Sequence, residues 1–181
     1  MKRTLIALLL LTGCSFFSKT KNDIYSLDTI PASPPAGVAA GGPVGIESIE
    51  LPPGFDRREI VVRKTDHQLE VRPNELWSAS LQPLVLHTLA FDLASRLPEG
   101  MVILPGQLKP ANARAIDVVF EEISAGPDQK VTIDARWKLS AITHHEQIAI
   151  DVPSLDSKNV ATGMSQAVAA LADRIAAGVN R

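Results

Sequence analysis

Nine consecutive residues, Val131-Thr132-Ile133-Asp134-Ala135-Arg136-Trp137-Lys138-Leu139, alternate apolar and polar without a break. Successive side chains of a strand point to opposite faces, so this period of two specifies a strand with one buried and one wet face. A helix would smear the same residues around its whole circumference. The strand is expected over Lys130 to Ile142, preceded by the turn-forming Ala125-Gly126-Pro127-Asp128 and a longer β-branched run from Ala115 to Ile123. Turn chemistry between two strand-like runs predicts an antiparallel hairpin. This hairpin anchors the rest of the reading.

Other strands follow the same logic. Val44, Ile46, Ile49 and Leu51 mark one, closed by Pro52-Pro53-Gly54. Glu59 to Arg63 and Gln68 to Arg72 flank Thr65-Asp66-His67, a second hairpin, in which Leu69 and Val71 are expected to face the core. Met101 to Leu104 and Gln147 to Val152 read as short strands, and Asp23-Ile24-Tyr25-Ser26-Leu27 has a strand-like look.

Two segments carry the spacing of amphipathic helices. In the first, Trp77, Leu81, Leu84, Val85, Thr88, Leu89, Leu93 and Leu97 recur at three- and four-residue intervals, ended by Pro98-Glu99-Gly100. Pro83 must kink it or lie in its first turn, with a cap near Ser80. The second runs from about Ser157, with Val160, Met164, Val168, Leu171, Ile175 and Val179 on one side. Strands joined as hairpins with two amphipathic helices predict an α+β domain: a single, mostly antiparallel sheet with both helices packed on one face.

The amino terminus has a different character. Lys2 and Arg3 precede an apolar run, Leu5 to Leu11, and then Leu11-Thr12-Gly13-Cys14. The run is about 10 residues, whereas spanning a bilayer takes roughly 20. Residues 1–13 therefore read as a bacterial lipoprotein signal, with Cys14 as the lipidated first residue of the mature chain. Several acyl chains, each methylene contributing about 0.8 kcal/mol, make such an anchor stable where one chain binds reversibly. Ser15 follows the cysteine; in enteric-type sorting, Asp at that position retains a lipoprotein on the inner membrane and Ser permits export to the outer one. The expected organisation is signal 1–13, lipidated tether 14–22 and folded domain 23–181, with a Pro/Gly-rich loop over 30–43. If the segment from Ile24 to Leu27 docks on the domain, residues 15–22 reach at most about 26 Å, and the body sits close to its membrane.

Composition excludes several function classes. The 18 basic residues are outnumbered by 20 acidic ones, and Lys2 and Arg3 leave with the signal, so nucleic acid is excluded as a partner. The one cysteine is taken by lipid, which leaves stability to packing alone. His144 and His145 are neighbours and, on a strand, point to opposite faces, so the two rings cannot share an ion. His67 belongs to a turn and His87 lies off the main stripe of its helix; no spacing resembles a metal signature. Gly41-Gly42-Pro43-Val44-Gly45 runs into a strand rather than a helix and cannot cradle phosphate. No Ser stands in a Gly-x-Ser-x-Gly elbow. Trp77 and Trp137 are expected in the core. The expectation is a non-catalytic protein without cofactor or metal. One bend stands apart: Pro52-Pro53-Gly54-Phe55-Asp56-Arg57 places an exposed-looking aromatic and an ion pair between two strands, as a docking knuckle or as an ordinary turn.

Together, Leu11-Thr12-Gly13-Cys14, Tyr25-Ser26-Leu27, Leu51-Pro52-Pro53-Gly54-Phe55-Asp56-Arg57, Ile60-Val61-Val62-Arg63, Glu75-Leu76-Trp77 and Arg136-Trp137 resemble the ABC-transport auxiliary lipoproteins of the paraquat-inducible C type. Arg58 and Pro83 depart from the pattern. The resemblance implies an outer-membrane lipoprotein on the periplasmic face. It would dock the mammalian-cell-entry (MCE) domain protein of a system that also contains an ABC permease and ATPase, moving phospholipid or another hydrophobic solute between membranes. Phe55, Asp56 and Arg57 would be the partner contacts, and a homo-oligomer is compatible with it. The competing reading is an assembly-factor lipoprotein for outer-membrane protein or lipopolysaccharide insertion.

Overall fold

The computed structural model describes residues 21–32 and 41–180, so the signal, Cys14, most of the tether and residues 33–40 of the Pro/Gly-rich loop lie outside the described residues. Eight strands and two helices follow in chain order: β1 (Asp23–Tyr25), β2 (Val44–Glu50), β3 (Glu59–Thr65), β4 (Gln68–Trp77), α1 (Leu81–Arg96), β5 (Val102–Ile103), β6 (Arg114–Ala125), β7 (Lys130–Leu139), β8 (Ile142–Asp151) and α2 (Ser157–Val179).

The α+β class holds, but the expected single sheet is two. A three-stranded sheet has the order β1-β4-β3 and a five-stranded sheet the order β5-β2-β6-β7-β8. The physical reason lies at β2, whose two edges are occupied by β5 and β6, both parallel to it. The β3–β4 hairpin therefore has no edge of β2 to join, and instead collects β1 as a parallel neighbour. Among the described residues the pairing is mixed: three strand pairs are parallel and three antiparallel, the antiparallel ladders being the longer. The chain leaves β2, passes through β3, β4 and α1 and returns as β5 along one edge of β2, and residues 104–113 then carry it across to β6 on the other edge in the same direction.

The sequence alternation survives in β7: its odd positions, Val131 to Leu139, are buried and its even ones are exposed or half-buried. Turns with left-handed Gln129 and Ser140 bound it. Helix α2 buries the whole expected stripe, and Asp156 caps it by accepting a bond from the Asn159 amide at 2.9 Å. Helices α1 and α2 pack on each other over the five-stranded sheet, α1 on β2 and β5, α2 on β7 and β8. Trp77 belongs to β4 rather than to α1, and is buried as expected.

One expectation is reversed at the β3–β4 hairpin. Leu69 and Val71 are each 40% exposed. The ladder sets Ile60 opposite Arg72 and Val62 opposite Glu70. Residues opposite one another share a face, so β3 supplies the apolar residues there and β4 covers them with charge. Arg72 then reaches α2, donating to the Ser157 hydroxyl at 2.7 Å.

Close approach fixes where α2 meets the sheet. A Cβ added at Gly178 would lie 2.3 Å from the Trp137 ring edge, inside any real contact distance. Gly178→Ala is expected to lower the melting temperature. Overpacking costs about 1–3 kcal/mol, against about 1 kcal/mol gained in helix propensity. A rise on thermal denaturation would show that the Trp137 ring yields.

Candidate functional site

The bend after β2 is built by its prolines and one glycine. Gly54 has φ +89, a conformation L side chains rarely adopt, and lets the Phe55 amide bond back to the Pro52 carbonyl at 3.2 Å. Phe55 then turns inward and is only 7% exposed, within the main apolar core. This corrects the expectation of an exposed aromatic: a ring this size on a bend beside the α1–β2 junction gains more by burial than by facing water.

The next two residues close the start of α1. Ser80 stands at the N-cap position but makes no side-chain capping bond. Its task is done from a distance, the Asp56 carboxylate accepting the Gln82 amide at 3.1 Å and the Arg57 carbonyl accepting the Leu81 amide at 3.3 Å. A carboxylate there also suits the positive end of the helix. Pro83, in the first turn, needs no donor, which settles its place without a kink. The Gln82 side chain returns to the Ile49 carbonyl at 2.6 Å, and the Trp77 amide reaches the Arg58 carbonyl at 2.6 Å. The bend thus splices β2, β4 and α1. The Arg57 guanidinium is free of this splice: it pairs with Glu59 at 3.1 Å, its side chain 40% exposed. Glu59 is held below the usual carboxylate range by its own backbone hydrogen bond and then by Arg57.

A second polar arrangement, which the sequence reading missed, lies under residues 27–32. Leu27 is buried, and alternate amides beyond it each donate to a helix side chain: Asp28 to Ser165 at 3.1 Å, Ile30 to Asp92 at 2.6 Å and Ala32 to Ser95 at 3.2 Å. Arg96 donates to the Ile30 carbonyl at 2.9 Å and pairs with Asp173 at 2.6 Å. Asp92 is fully buried, and burial is what pushes its carboxyl up to about 6; the Ile30 amide and Arg96 pull it down, Asp173 pushes it up. Its second oxygen has no hydrogen-bond partner among the described residues. Asp92 and Arg96 break the apolar stripe of α1, the one signal that could have flagged them.

His144 and His145 are the third and fourth residues of β8, near its start after the β7–β8 turn. They do face opposite ways: His144 stacks on Trp137 with ring centroids 3.9 Å apart, and His145 lies on the outer face beside Asp134. No described helix is long and apolar enough to cross a membrane.

Against known proteins, residues 25–176 match the model of the family described as the ABC-type transport auxiliary lipoprotein component. The chain belongs to that family. The intermembrane transport lipoprotein PqiC of Escherichia coli is 26% identical over 136 residues, covering 75% of this chain and 71% of the relative. PqiC of Shigella flexneri matches to the same extent. Among solved structures, an uncharacterised protein superposes with a TM-score of 0.74 at 18% identity, covering 88% of this chain and 99% of its own. A Xanthomonas campestris protein gives 0.69 at 14% identity, covering 87% and 94%. These two likenesses establish a shared fold, and the bend and the strap of residues 27–32 both lie within the stretch matched by the family model.

Proposed function

We propose that this auxiliary lipoprotein is the docking component of an intermembrane transport system, without catalysis of its own. Cys14 carries the lipid that holds it on the periplasmic face of the outer membrane. Its partner is the MCE-domain protein of the same system, which works with an ABC permease and ATPase. The observation that carries this reading is the family match over 25–176, together with a relative whose name is that of an intermembrane transport lipoprotein.

Two features of the fold support it. Strand β1 pairs with β4 from Asp23 onward, which limits the tether to residues 15–22, a reach of about 26 Å at most. The body is thereby kept near the anchoring surface. The most strongly shifted carboxyl, Asp92, is engaged by the backbone of the strap rather than presented in a cleft. A general acid or base must reach a substrate.

The bend at 55–57 remains the proposed partner contact, through the exposed Asp56 and the Arg57 guanidinium, with Phe55 holding it from beneath. Arg57→Ala removes the guanidinium and leaves the capping carbonyl in place. An exposed pair such as Arg57–Glu59 contributes at most about 1 kcal/mol, so the melting curve should barely move while crosslinking to the MCE-domain partner in native envelopes falls several-fold. Equal crosslinking by the variant would remove the bend from the interface. Absence of any MCE-domain protein among the wild-type crosslinks would overturn the proposed function.

A further inference from the structure

Three strands of the five-stranded sheet bring Glu121, Asp134 and His145 together on the face opposite the helices. Each offers one ligand atom, and these atoms all lie within 4.8 Å of one another. The residues come from three consecutive antiparallel strands, β6, β7 and β8 respectively. Their meeting depends on a register irregularity: the β6–β7 ladder pairs Phe120 with Ala135 and then Glu122 with Asp134, leaving Glu121 as an extra residue. Such a bulge sets two residues of one strand against one of its partner and re-aims their side chains. Glu121 is exposed and Glu122 half-buried, both opposite Asp134.

We propose that Glu121, Asp134 and His145 form a surface site for a divalent transition-metal ion of the zinc type. One imidazole and two carboxylates are a donor set that zinc accepts, with ligand distances of about 2.0–2.2 Å. Donors arranged around such an ion stand roughly 3–4 Å apart by that geometry. His145 Nε2 and Asp134 Oδ1 are 2.6 Å apart, so an ion enters by spreading them slightly and replacing their hydrogen bond. The Gln147 amide donates to the other Asp134 oxygen at 2.7 Å, fixing that carboxylate from behind. The opposing force is equally visible. Arg136 lies 2.6 Å from Glu121 Oε1, and its charge must be displaced or tolerated when the ion binds. That competition makes the site a modest binder and supplies its most specific test.

The full-length lipoprotein in detergent is titrated with zinc chloride by calorimetry, and with cobalt chloride by visible absorption. The expected result is one ion per chain, with His145→Ala and Glu121→Gln each weakening binding ten-fold or more while leaving the melting temperature of the metal-free protein unchanged. Arg136→Gln should tighten binding several-fold, because it frees Glu121 from its guanidinium; a lone surface histidine would be indifferent to that change. His67→Ala, at the tip of the β3–β4 hairpin, should have no effect. Titrations in which His145→Ala matches the wild type, or in which Arg136→Gln weakens binding, overturn the site.

Discussion

Phe55→Ala is expected to lower the free energy of unfolding by about 3 kcal/mol or more, the usual cost of truncating a buried phenylalanine. The ring is 7% exposed and packed into the main core. Its loss leaves a cavity below a bend that carries the only described caps on the first two amides of α1, the Asp56 carboxylate and the Arg57 carbonyl. Urea denaturation checks this: the midpoint should fall with the slope unchanged. In a chain of this size the melting temperature should drop by roughly 6 °C or more. A loss below 1 kcal/mol would mean that the ring contributes little to the core and is available to a partner. The comparison with Arg57→Ala is informative, since one substitution tests the support and the other the surface it presents.

The second large effect is a dependence of stability on pH set by Asp92. Its carboxyl sits at about 6 in the folded protein against an ordinary 3.8. Between these values the folded state holds a proton that the unfolded chain has released, so stability falls as pH rises. The contribution is fully present below about 4 and is lost as pH passes 6, a span worth roughly 3 kcal/mol at 1.36 kcal/mol per unit. Asp134, Asp156 and Glu59 are shifted down and act in the opposite direction. The measurement is therefore a difference: urea denaturation of wild type and Asp92→Asn at pH 4 and pH 7. The gap between the two proteins should change by about 3 kcal/mol across that range, the wild type losing ground as Asp92 ionises. Parallel curves would show that the carboxyl titrates normally. At neutral pH the charged group is retained at a cost, and what it holds is the Ile30 amide of the strap, 2.6 Å away.

Local periodicity carried the elements well. The alternation in β7, the α2 stripe and the turn at Gly126 to Gln129 each depend on residues a few positions apart, and each lies where the pattern put it. Leu69 and Val71 obeyed the same local rule and are nevertheless exposed, because the partner strand already supplies Ile60 and Val62. The bend was legible as a bend, through Pro52-Pro53-Gly54, but the direction of Phe55 was not. Proline and glycine determine how the chain turns; which side of the turn is dry depends on what packs there. The Glu121–Asp134–His145 group had no signal in the sequence, since it joins three strands through a bulge.

The sequence alone determined the α+β class, the alternation of β7, the apolar stripe of α2 and the family resemblance, because all of these are written in residues near one another along the chain. Only the tertiary structure decided that there are two sheets, that Phe55 supports rather than protrudes, and that Asp92 and Arg96 bind the strap of residues 27–32 from beneath. Strand edges, burial and desolvation depend on which distant segments fill the remaining space, and no local pattern encodes that competition.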